Sequence, residues 1–202
     1  LSHASRVAAC ELLDSLGLDD TVFGDLCSFH ADVMDRLDED APYALALAAL
    51  ALGRGHGIDE DPGPVCAQYR KQLDLSNTDR DAMISILEIA RAMHTQWDRL
   101  GIAGKRRLGG RVHADLAMAL YEAWCAVHGS VRAHTIGVEL ARWAGLDEGL
   151  CPAALIAGGD LIAMGLEPGP AFRAVLDAVY DAQLEGRVTD RDGALALAGA
   201  LA

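Results

Sequence analysis

The chain has 202 residues, 51% of them hydrophobic, enough to bury a substantial core as one globular unit or two small ones. Acidic side chains number 30 against 17 basic ones, and the net charge of −13 excludes broad, charge-driven nucleic-acid binding while leaving room for a local site. Ala and Leu outweigh Val, Ile and the aromatics, which predicts an all-α protein, and no apolar run approaches the roughly twenty residues of a membrane span.

From Ser2 onward, Val7, Ala8, Leu12, Leu13 and Leu16 recur at helical spacing, with Ser2 as cap and Gly17 as stop. A second helix is predicted over 29–37, ending in the acidic stretch Asp38-Glu39-Asp40, and Pro42 opens a very apolar helix to residue 52, buried on most sides. Residues 53–64, with four glycines and two prolines, form the longest predicted loop, and a helix follows over 65–73. Ser76-Asn77-Thr78 caps a long amphipathic helix toward residue 100, carrying Met83, Ile86, Leu87, Ala90, Met93 and His94 on one face. Residues 101–110 read as a basic linker, 113–128 and 131–144 as helices broken at Gly129, and 146–152 as the lead into a tail.

That tail carries the densest punctuation of the chain, Gly158-Gly159-Asp160, then Gly165, then Pro168-Gly169-Pro170. The pattern predicts helix, tight turn, helix, with the Gly-Gly before Asp160 marking a turn and offering a cap, and proline opening the second helix. Backbone amides left free near Gly169 form an anion site that needs no basic side chain.

Asp160-Leu161, Gly165, Pro168-Gly169-Pro170, Leu176, Gln183-Leu184-Glu185-Gly186, Val188-Thr189 and Arg191 together resemble the C-terminal tail of bacterial tRNA nucleotidyltransferases, the CCA-adding enzymes and their poly(A) polymerase relatives. The start of the chain, Ser2-His3, Arg6, Leu12-Leu13, Leu16-Gly17-Leu18 and Val22-Phe23-Gly24-Asp25-Leu26, resembles the family's neck, and residues 73–80 resemble its phrase before a long helix. The resemblance implies a neck-like segment over 1–28, a helical body over 29–150 and a tail over 151–202, downstream of a catalytic head. Leu1 in place of Met agrees with the expectation of a piece cut from something longer.

HD-type members of the family place a histidine early in the body and a His-Asp pair at the end of an apolar helix, because imidazole and carboxylate together hold a catalytic metal. His30 occupies the first place, and is read here as a half-buried packing residue. Leu52-Gly53-Arg54-Gly55 stands where the pair belongs, so the body reads as a degenerate HD-like bundle, with His56 and Asp59-Glu60-Asp61 following in a glycine-rich stretch. His94, His113, His128 and His134 lack metal-ligand spacing, and Gly129-Ser130-Val131-Arg132 reads as a turn. Trp97, Trp124, Trp143, Tyr121 and Tyr180 have rings that can stack bases but more often anchor a core. The five cysteines, odd in number and without a CxxC pair, fit reduced thiols in the cytosol, most of them buried.

The resulting expectation is a chain without catalytic or metal-binding residues of its own, which grips tRNA or another structured RNA while a separate head adds nucleotides to the 3′ end. Magnesium and CTP or ATP would belong to that head, and the setting would be cytoplasmic. The RNA-binding candidates implied are Gly165, Gly169 and Arg173, with Lys105, Arg106 and Arg107 as an independent basic cluster. Two other readings stay open: a helical protein-interaction module whose acidic surface meets a protein or a second copy of itself, and a degenerate HD-domain protein.

Overall fold

The computed structural model describes Leu1 and residues 3–23, 28–167 and 169–201, without the side chains of Asp20 and Pro170. In chain order the α-helices among the described residues are α1 (Arg6–Ser15), α2 (Asp19–Phe23), α3 (Tyr43–Gly53), α4 (Pro62–Leu73), α5 (Asn77–Thr95), α6 (Ile102–Gly109), α7 (Ala114–Val127), α8 (Arg132–Ala144), α9 (Gly158–Ala163), α10 (Pro170–Leu184) and α11 (Arg191–Leu201), and no strand occurs. The all-α fold expected from composition is the fold observed. None of these helices is long and apolar enough to cross a membrane. Ser2, Gly24, Asp25, Leu26, Cys27 and Pro168, which the sequence reading used, lie outside the described residues.

Two compact units emerge, Leu1–Asp98 with Arg111–Glu139 and Arg99–Gly110 with Leu140–Ala202. In this division α1 and α2 belong with the first unit, α6 joins the tail, and α8 divides between Glu139 and Leu140.

The first unit is built around α3. A helix made almost wholly of Ala and Leu has no polar face to show water, and Ala46, Leu47, Ala48 and Ala49 are fully buried. It packs against α5 and α7, and α5 in turn packs against α4. The apolar face predicted for α5 is the buried one: Met83, Ile86, Leu87, Ala90 and Met93 all lie inside. The Ser76 hydroxyl caps it, accepting the Asp79 N–H at 3.1 Å. The helix stops at Thr95, short of residue 100, because a 3₁₀ turn over Trp97–Arg99 swings the Trp97 ring into the core at 2% exposure. At the start of α4, Asp61 accepts the Gly63 N–H at 3.1 Å, so the helix begins at Pro62, where a first turn tolerates proline, and shortens the predicted loop.

Residues 29–37 are not the helix predicted. Only a 3₁₀ turn over Met34–Arg36 forms there, although Phe29, Val33, Met34 and Leu37 are all buried. A tertiary interaction decides this. The Arg6 guanidinium of α1, 4% exposed, donates to the carbonyls of Leu37, Asp38 and Glu39, so the chain leaves Leu37 extended and turns over Asp38–Ala41, where the Ala41 N–H donates to the Asp38 carbonyl at 3.0 Å. His30, expected half-buried, is exposed, while its backbone N–H donates to the Gly53 carbonyl at 2.8 Å.

In the second unit Ile156, Leu161, Val175, Val179, Ala182 and Val188 form the core with small residues of α11. Here α10 is central, packing against α6, α9 and α11. The predicted basic linker over 101–110 is instead α6. Its eight residues would be marginal alone, and tertiary packing of Ala103, Arg106 and Leu108 holds them helical.

Candidate nucleic-acid interface

The α9–α10 hairpin forms as the punctuation predicts, with one shift. Ala157 is the helix cap, so Gly158 and Gly159, expected to offer it, lie inside the first turn of α9, and Asp160 is the third helical residue. Its carboxylate reaches back to accept the Ala157 N–H at 2.8 Å and also pairs with Arg191 at the start of α11.

The end of α9 is a Schellman motif. The Gly165 N–H donates to the Ile162 carbonyl at 2.9 Å and the Leu166 N–H to the Leu161 carbonyl at 3.1 Å, with Gly165 at φ +87°. Leu161 is fully buried and Leu166 packs on the same cluster, which is the apolar contact such a cap needs. The end of α10 repeats the device: Gly186, at φ +74°, donates to Gln183 at 3.0 Å and Arg187 to Ala182 at 2.9 Å. Gln183 also braces the segment before α9, donating to the Ala153 carbonyl at 2.8 Å and accepting from the Leu155 N–H at 3.1 Å. Asp190 caps α11 by accepting the Gly193 N–H at 2.8 Å. Each of these motif residues therefore has a folding task of its own.

At the mouth of α10, Gly169 is extended, with φ −171° and ψ −178°, a conformation open to any residue. Pro170 has no N–H and that of Phe172 turns back to the Gly169 carbonyl at 3.0 Å, which leaves the first turn the Ala171 amide to offer a ligand. The expected array of free amides is thereby narrowed. Arg173 stands one turn in with its side chain 91% exposed, 3.8 Å from Asp177.

In the basic cluster of α6, Arg106 is the residue that faces inward. Arg106 is 3% exposed, and its guanidinium donates to the carbonyls of Leu150 at 2.8 Å, Leu184 at 2.7 Å and Gly149 at 2.7 Å. Expected as an RNA contact, it is a clamp on the second unit, with no donor face turned to solvent. Arg107 donates to the Asp181 carboxylate at 2.6 Å and lies over the Tyr180 ring, 4.6 Å from its centroid. Lys105 is half-buried on the same helix.

Charge is unevenly shared. The second unit carries 8 basic and 9 acidic side chains, a net −1, so −12 of the total −13 resides on the first.

In the first unit, the place read as a lost metal site holds an ion pair. The Arg54 guanidinium lies 3.2 Å from the Asp19 carboxylate, with side-chain exposures of 2% and 10%, and stacks 4.5 Å from the Phe23 ring centroid. A guanidinium there repels any cation. His56 sits nearby, 3.1 Å from Glu60, and burial pushes its pKa below the usual histidine range against the raising effect of that carboxylate. Among the described residues no group of three His, Cys, Asp or Glu side chains is placed to hold a metal ion.

No family model, curated protein or solved structure matches the chain.

Trp97 and Tyr121 are core residues at 2% and 0% exposure. Trp124 is half-buried, stacked 4.0 Å from the ring of exposed His128. Cys10, Cys66 and Cys125 are buried free thiols, and Cys151 is exposed.

Proposed function

We propose that this chain is the RNA-gripping neck, body and tail of a relative of the tRNA nucleotidyltransferases and poly(A) polymerases, working beside a catalytic head that supplies the metal and the nucleotide. The observation that carries the reading is the charge segregation: the second unit is almost neutral, and on it Arg173 projects 91% exposed from the first turns of α10. An arginine at a helix N-terminus suits one or two phosphate oxygens. The head has support of its own at α1 and its C-cap, where Leu12 and Leu16 are 58% and 61% exposed, apolar surface for a neighbouring domain to cover. The chemistry of this chain is positioning, in a cytoplasmic setting.

The test is fluorescence anisotropy of a labelled tRNA acceptor-and-T-arm minihelix against the chain over a range of salt, with an unstructured RNA as control. Gly169→Leu fits the extended backbone yet covers the Ala171 amide, and Arg173→Glu reverses the local charge. Both should weaken minihelix binding, and the log-log salt slope should stay shallow, about −1 to −2. Absence of binding up to about 100 µM protein, the weak end of non-specific nucleic-acid affinity, would overturn the reading.

A further inference from the structure

The first unit carries a groove that the RNA reading leaves unused. It is about 530 Å³ in volume and runs between the segment whose carbonyls Arg6 binds and one face of α7. Leu37, Ala41 and Leu45 form one side of its floor, all at 8% exposure or less. Leu116, Ala119, Ala123 and Ala126 form the other, a line of mostly small residues along α7. That line is about 15 Å long, room for some ten residues of a second helix. Alanines let a helix approach closely, and Asp38, Asp40 and Glu122 stand exposed along the rim. An adjoining hollow shares Arg36 and adds Asp32 and Asp35. The rim thus presents five carboxylates and one guanidinium around an apolar floor.

We infer that this groove docks a basic amphipathic helix of a partner protein, its apolar face on the alanine line and its lysines or arginines reaching the carboxylates on either side. Charge complementarity selects this occupant: an RNA is repelled by the rim and by the −12 of the unit, and an acidic helix likewise. The stems of long basic side chains cover the groove edges while their charged heads pair. Arg36 sets register, since a partner cation opposite it is disfavoured.

The full chain is titrated into a fluorescein-labelled model peptide of about 18 residues, long enough to hold a helix, with Leu and Ala on one face and Lys on its flanks. A second peptide has Glu in place of Lys. The Lys peptide should bind, and the Glu peptide should not. The triple variant Asp38→Asn, Asp40→Asn, Glu122→Gln should weaken binding by about tenfold or more. Asp59→Asn, Glu60→Gln, Asp81→Asn removes the same charge elsewhere on the unit and should leave affinity within about twofold. Ala126→Arg, at an exposed floor position, should block binding, with circular dichroism confirming that each variant is folded. Equal weakening by both triples would reduce the effect to net charge and overturn the inference. So would no weakening by the rim triple, or a change of oligomeric state in Ala126→Arg, which would make a second copy the occupant. None of these outcomes bears on minihelix binding, so the two readings fail separately.

Discussion

Arg106→Met offers the sharpest check on the second unit. The substitution keeps the apolar stem and removes the three donors that hold the carbonyls of Leu150, Leu184 and Gly149. Leu184 is 1% exposed and its carbonyl ends α10, where a positive charge also suits the helix dipole. Leaving that carbonyl unpaired costs about 2 kcal/mol, and the two nearer the surface, which water partly rehydrates, about 1 kcal/mol or less each. The sum is about 3–4 kcal/mol, which for a domain of this size lowers Tm by roughly 12–30 °C. Differential scanning calorimetry, paired with circular dichroism, reads the transition directly. Arg106→Lys keeps the charge but not the planar fork and should recover less than half of the loss. Arg173→Met, at a 91% exposed side chain, should stay within about 0.5 kcal/mol of the parent. An Arg106→Met variant that melts with the parent would refute the clamp. Should it also lose minihelix affinity, the guanidinium would be facing solvent as an RNA contact.

Gly165→Ala and Gly186→Ala place a side chain at φ +87° and +74° and should each destabilise by about 1–2 kcal/mol in chemical denaturation, whereas Gly169→Ala, at an extended position, should be neutral. Burial pushes the Cys66 thiol up to about 12, so timed alkylation at pH 8 with peptide mapping should modify exposed Cys151 first and reach Cys66 only on unfolding. His56 has its pKa lowered in the folded state, so its unfolded form binds protons first. Its contribution is complete above about pH 6.5 and declines as pH falls toward the depressed value. Denaturation midpoints measured from pH 7 downward should therefore fall less steeply in His56→Gln.

The elements written in local code were legible in the sequence. A helix of Ala and Leu with no polar face had to be the centre of a core, and Ser76 had to cap α5. Gly165 was read correctly as the end of α9 because the left-handed cap is a single-residue requirement. What failed depended on arginines whose partners lie far along the chain. Arg6 reaches 31 to 33 positions to bind the carbonyls of 37–39, where the apolar spacing alone favours a helix. Arg106 turns a glycine-flanked basic run from linker into buried helix, and nothing in three successive cations says which will face inward. The candidate site was legible as a hairpin, yet the residues that made it recognisable are largely occupied with caps and braces. The groove along α7 was invisible in sequence because its floor comes from stretches some eighty residues apart.

The clamp at Arg106 also sets an order of events during synthesis. Its deepest partner, Leu184, lies 78 positions later, and all of 111–139, which belongs to the other unit, is made in between. At about 5–20 residues per second the carbonyl emerges roughly 4–16 s after the guanidinium that will hold it. Through that interval α6 is a short segment without its packing surface, and by itself too brief to stay helical. The ribosome therefore exposes a basic, uncommitted stretch for seconds in every round of translation, and the tail closes only when its last helices arrive to claim it.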